Sequence, residues 1–181
     1  MKWMARILLG CFFAVTAGAV DYSTYSTELL YGAEMDDPDA QFQLATCYRD
    51  GLDIPRDAGK AVEWYLKAAK LGHADAQFFL ARAFEEGDGV LQDVDQAIKW
   101  YAKAVEKEHV GAQFNMALCY RDGRGVERDP VRAAQWLEKA AENGHANAQF
   151  HLAACYSAGE GVLPDVQQTV RWAAKSAEQG H

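Results

Sequence analysis

Histidines stand at 73, 109, 145 and 181, each 36 residues from the next, and such a row first suggests metal chemistry. Zinc needs its nitrogens about 2 Å from one ion, whereas equivalent residues of stacked helices sit about 8–10 Å apart, so the row cannot converge. It is expected instead to serve the turns between units by hydrogen-bonding the last carbonyls of a helix, with no metal and no other cofactor. Lysines 67, 103, 139 and 175 keep the same interval, three residues after Trp64, Trp100, Trp136 and Trp172. There the aliphatic stem can cover the indole while the ammonium stays in water. Glutamines 41, 77, 113 and 149 are each followed by Phe, and a residue that never varies between units cannot discriminate ligands. Their expected work is to satisfy backbone groups at the unit junction. No Ser has Lys three residues on, and neither His-Glu-x-x-His nor Gly-x-Ser-x-Gly occurs, so no catalytic residue is predicted.

The residues that do vary form a narrow stripe. At 100° per residue, positions 43, 46 and 50 lie on one arc of a helix, away from its apolar face. Unit by unit the stripe reads Gln43-Thr46-Asp50, Phe79-Arg82-Glu86, Asn115-Leu118-Asp122 and His151-Ala154-Ala158. An exposed Phe79 beside Leu118, rimmed by Arg82, Glu86 and Asp122, is the chemistry of a surface that reads a peptide: an apolar anchor with a charged edge. The predicted partner-binding residues are therefore Gln43, Thr46, Asp50, Phe79, Arg82, Glu86, Asn115, Leu118, Asp122 and His151. A solvated face free to drift is the alternative.

The elements that must position this stripe follow from the period. Four 36-residue units, 38–73, 74–109, 110–145 and 146–181, succeed one another without an insertion. Each reads as two helices. The first is expected to start after Asp39, Asp75, Gly111 or Asn147 and to end at Gly51, Gly87, Gly123 or Gly159, as left-handed C-terminal residues. Asp57, Asp93, Asp129 and Asp165 cap the second, and Pro130 falls at a first helical position, where a missing N–H costs nothing. Glu108 stands where other units place Gly and is expected to strain its turn. Alanines opposite large aromatics let helices interlock, and only a stack of units can bury that surface.

The pattern Ala-x-Ala-Gln-x-x-Leu-Ala-x-x-Tyr-x-x-Gly-x-Gly-Val-x-x-Asp, followed by Ala-x-x-Trp-Tyr-x-Lys-Ala, resembles the Sel-one-like repeat, a relative of the tetratricopeptide repeat. The resemblance covers 38–181 and implies an all-α, right-handed α/α superhelix (a solenoid) of four 36-residue helix-turn-helix repeats whose first helices line a concave groove. It implies a protein–protein interaction adaptor. Three features depart from the family: Ala45, Ala81, Ala117 and Ala153 replace a usual Gly, Asp53 replaces the second loop Gly, and the paired cysteines of the disulfide-rich branch are absent. Members of that family have been linked to β-lactam binding or hydrolysis. A cell-wall or β-lactam hydrolase is thus the rival class, opposed by the missing nucleophile–base pair, and a secreted effector acting in a host is a third reading.

Residues 1–19 read as a secretory signal, with Lys2 and Arg6, an apolar run from Ile7 to Val15, and Ala17-Gly18-Ala19 before the cleavage point. The apolar stretch is shorter than the roughly 20 residues of a spanning helix, so no stable membrane insertion is expected after cleavage. Export to the periplasm or medium would leave Cys47, Cys119 and Cys155, all at one equivalent position of their units and too far apart to bridge. The formal charge of −8 opposes nucleic acid and anionic lipid as partners. Residues 20–37 are expected to form a cap with a partial helix. The last helix is left without a covering unit, and its edge is a candidate for self-association.

Overall fold

The structure, a computed structural model, describes residues 24–180, so the expected signal segment 1–19 and His181 lie outside it. It is all-α among the described residues, with α1 (Thr24–Glu34), α2 (Pro38–Asp50), α3 (Ala58–Lys70), α4 (Ala74–Glu86), α5 (Val94–Glu106), α6 (Val110–Asp122), α7 (Pro130–Glu142), α8 (Ala146–Ala158) and α9 (Val166–Glu178). Pairs α2–α3, α4–α5, α6–α7 and α8–α9 form the four units, and each helix packs on its chain neighbours.

The helix ends explain the 36-residue period. Asp57, Asp93, Asp129 and Asp165 cap α3, α5, α7 and α9 through side-chain oxygens, as their spacing predicts. Gly51, Gly87, Gly123 and Gly159 end the first helices at φ of 70–73°, a conformation in which a side chain would be strained. Glu108 does adopt φ 59°, where Gly72 and Gly144 hold 90° and 85°.

The first-helix caps differ from expectation. They fall two residues earlier, at Asp37, His73, His109 and His145, because an imidazole Nδ1 accepts from the helix just as a carboxylate does. Asp39, Asp75, Gly111 and Asn147 occupy the first turn instead.

The second loop glycine has a separate reason. A Cβ on Gly89 would collide with the Ala58 carbonyl, and one on Gly161 with the Pro130 carbonyl. Each loop thus lies directly on the start of the preceding second helix. Asp53, the equivalent in the first unit, is exposed, and its carboxylate side chain is tolerated at φ 59°.

Buried Leu80 and Met116 of the first helices pack in one cluster with Tyr65 and Tyr101 of the second, Leu152 packs in another with Leu137 and Trp172, and Leu44 packs with Ala33 and Ala40. Ala45, Ala81 and Ala117 are fully buried between them. At these points a methyl group sets the helix separation, which is why alanine recurs where a larger side chain would overpack.

Candidate partner-binding face

Each unit junction is built on a histidine. Nδ1 of His73, His109 and His145 accepts from the amides of Ala76, Ala112 and Ala148 at 3.2, 3.0 and 3.2 Å. Their backbone N–H groups, rather than their side chains, reach the carbonyls of Ala68, Ala104 and Ala140 that end the preceding helix. The rings stack on Phe42, Phe78 and Phe114 of the preceding unit at 4.4–4.5 Å. Nε2 of His73 and His109 meets Asp39 and Asp75 at 3.3 and 3.1 Å. The expected contact of the side chain with carbonyls is therefore corrected to an acceptor cap plus a ring stack. Gln41, Gln77 and Gln149 donate to the carbonyls of Ala33, Ala69 and Ala141 at 3.1 Å, tying each first helix to the helix before it.

The lysine row also differs in detail. Lys67, Lys103, Lys139 and Lys175 place the ammonium itself 3.5–4.6 Å from the indole centroids, a cation–π contact rather than a covering stem. Both rows are structural. Among the described residues no three His, Cys, Asp or Glu side chains converge as metal ligands would.

Between the first two units the stripe opens into a cavity of about 320 Å3 lined by Asp50, Phe79, Arg82 and Glu86, together with Arg49, Tyr65 and Asp88. Alanines 58, 61 and 83 and Val62 complete its walls. Phe79 is half-buried rather than exposed. Its ring stacks on Tyr65 at 5.6 Å, and the Arg49 guanidinium lies over it at 4.4 Å. Arg49 is in turn held by two hydrogen bonds to Asp50 at 2.7 Å, which depress the Asp50 carboxyl below its usual range. Arg82 and Glu86 pair one helical turn apart at the exposed edge.

The other predicted residues lie apart from this cavity. Gln43 is exposed, and Thr46 donates to or accepts from the Tyr65 hydroxyl at 3.2 Å. Leu118 is half-buried and does not line the cavity, so Phe79 and Leu118 do not form the joint anchor that their spacing suggested. Asn115 donates to the Tyr101 hydroxyl at 2.7 Å, and that hydroxyl donates to Glu85 at 2.7 Å. Burial drives the Tyr101 phenol far above its ordinary value. Arg124, from the loop of the third unit, closes the network on Glu85. Asp122 is held low in pKa by Arg121. His151 is half-buried and lies 3.5 Å from Arg121, and burial first and that guanidinium second push its pKa below the ordinary value.

Sequence reasoning stopped the stripe one position short. Position 49 and its equivalents read Arg49, Glu85, Arg121 and Ser157, as variable as the stripe itself. Arg49 and Arg121 reach the next unit's Phe79 and His151, so this position joins one first helix to the next. The hydroxyls of Tyr65 and Tyr101, on the second helices, also serve this face. The three cysteines among the described residues are free, and burial raises each thiol above its ordinary value, Cys119 to about 11.

The Sel1 repeat model matches residues 38–73, 74–109, 110–145 and 146–181. The chain belongs to the Sel1 repeat family. Sel1 repeats are, as a rule, scaffolds for protein–protein interaction rather than enzymes. The fold matches that of a protective antigen of uropathogenic Escherichia coli strains, with TM-score 0.81 and 36% identity over 84% of this chain and 33% of that one. It also matches a Sel1 repeat protein from Oxalobacter formigenes, with TM-score 0.81 and 34% identity over 90% of this chain and 67% of that one. An immunity protein of Pseudomonas aeruginosa is more distant, at TM-score 0.58 and 26% identity over 80% of this chain and 54% of that one. A comparison with curated proteins finds no match. The Sel1 chain described here thus spans about a third of the length of the E. coli antigen. No helix among its described residues is long and apolar enough to cross a membrane.

Proposed function

We propose that this Sel1 repeat chain is an exported adaptor of the bacterial envelope that holds a peptide or partner-protein segment against its first-helix face. The cavity between the first two units carries the reading. It combines an apolar floor, an aromatic ring fixed by Tyr65 and Arg49, and an exposed charged rim of Arg82 and Glu86. A partner side chain can enter without disturbing the core. The Arg82–Glu86 pair is exposed and contributes about 0–1 kcal/mol, so a partner's charge can open it cheaply. Asp50, Phe79, Arg82 and Glu86 are the contact residues in this reading, while Gln43, Thr46, Asn115, Leu118, Asp122 and His151 extend the face along the stack. The basic, apolar and small-residue order of residues 1–19 supports export. The excess of carboxylates supports a protein partner over nucleic acid or anionic membrane.

The test compares partner capture by the mature chain with capture by an Arg82→Ala, Glu86→Ala double variant. The rim is exposed, so the variant keeps its helicity, whereas Phe79→Asp would strip a ring from its packing against Tyr65 and Arg49. A specific partner lost only from the double variant supports the site. Equal capture by both proteins contradicts it.

A further inference from the structure

Every unit junction holds two charged positions in register, one on a first helix and one 39 residues later in the next unit's loop. The three couples are Arg49 with Asp88, Glu85 with Arg124, and Arg121 with Glu160. The charges change places at the middle junction, yet each couple stays opposite in sign. Among the described residues only the middle couple forms an ion pair, Arg124 resting on Glu85. At the other two the arginine turns to the carboxylate beside it, Arg49 to Asp50 and Arg121 to Asp122. A third position follows the same division, reading Arg56, Gln92 and Arg128. All three side chains donate to a backbone carbonyl, that of Arg49, Glu85 or Arg121, at 3.1, 2.8 and 3.0 Å. The two anchored arginines have a nitrogen to spare, and it takes the loop carboxylate. Arg56 reaches both oxygens of Asp88 at 3.3 Å, and Arg128 reaches Glu160 at 2.7 Å. Gln92 carries no charge to hold a loop side chain, and there the couple closes.

Arg49 and Asp88 both line the cavity between the first two units. We infer that Arg56 is a positioning residue that keeps this cavity open, by holding Asp88 away from Arg49. Without it, Asp88 closes on Arg49 across the cavity, as Arg124 closes on Glu85 at the next junction. The Arg56 and Asp88 side chains are 63% and 44% exposed, and exposed pairs are weak, so the carboxylate changes partners at little cost. The consequence for binding rests on the reading of the cavity as the partner's contact site. A partner enters while Asp88 stays on Arg56 and is shut out once the bridge to Arg49 forms.

The experiment places a cysteine at Ala83, inside the cavity, where the other units carry Cys47, Cys119 and Cys155. Its alkylation by iodoacetamide is read at residue 83 by peptide mass. Rates are expressed per thiolate from a pH profile, which separates a shifted thiol pKa from a closed cavity. No partner is needed, so failure of this inference and failure of the contact site are distinct results. In Arg56→Gln the thiolate should react about two- to fivefold more slowly, the range that one exposed ion pair sets. Glutamine is native at the equivalent position 92, so this variant folds. Adding Asp88→Asn removes the carboxylate that the bridge needs and should restore the parent rate. A rate unchanged by Arg56→Gln would overturn the inference. So would a rate that stays slow in the double variant, because the loss would then come from packing rather than from Asp88.

Discussion

One imidazole at each junction ends one unit and begins the next: Nδ1 caps the new helix, the ring covers the old unit's Phe, and Nε2 of His73 and His109 reaches a carboxylate. Acceptance at Nδ1 requires an unprotonated nitrogen there, so acid opposes the cap. Burial holds His109 below its ordinary value, partly offset by Asp75. The folded chain therefore binds fewer protons at this site than the unfolded one. Its contribution is complete above the unfolded histidine value of about 6.5 and is lost as pH falls through that value towards the folded one. Urea denaturation at a series of pH values should show His109→Ala to be about 1 kcal/mol less stable at neutral pH. Its stability should also fall less than that of the parent as the pH drops; parallel curves would remove the cap from the account. The loop positions give a second contrast at this scale. Gly89→Ala must push its Cβ into the Ala58 carbonyl and should cost more than the ~1–2 kcal/mol of a left-handed non-glycine residue. Asp53→Gly, at the open equivalent, should be neutral or stabilising in the same thermal melts.

Among the elements, α4, α5 and α6 are joined through a single hydroxyl. Tyr101 donates to Glu85 and accepts from Asn115, and the loop arginine Arg124 rests on the same carboxylate. Tyr101→Phe leaves two partly buried polar groups short of a partner and should cost about 1–3 kcal/mol in urea denaturation. Tyr65→Phe should cost less, because Thr46 keeps its bond to the Phe42 carbonyl. The order and type of these helices were legible in the residues, since the period, the aspartate caps and the C-terminal glycines each carry a local physical signature. The first-helix caps were misplaced by two residues because histidine is an uncommon cap, and its repeat was weighed as a ligand or a carbonyl donor. Phe79 was misjudged for a different reason. A helical arc reports direction from its own axis, whereas the burial of Phe79 comes from Tyr65 and Arg49 on neighbouring helices. Position 49 was missed on the same ground, since its contacts cross between units.

Across the whole molecule, arginine charge is largely spent internally. Arg49, Arg56, Arg82, Arg121, Arg124, Arg128 and Arg132 each pair with a carboxylate of the chain, three of them bridging units one–two, two–three and three–four through Asp88, Glu85 and Glu160. The stack is thus fastened by Phe–His pairs inside and by ion pairs along its loops, and the net acidic surface is left to face partners. The most direct test of the central claim places a photocrosslinking amino acid at Ala83, inside the cavity, and in a second protein at Glu142 of α7, which lines a separate cavity of about 670 Å3 with Tyr120 and Trp136. The account predicts that a discrete partner is trapped from Ala83 and not from Glu142; trapping from Glu142 alone, or equally from both, would contradict it.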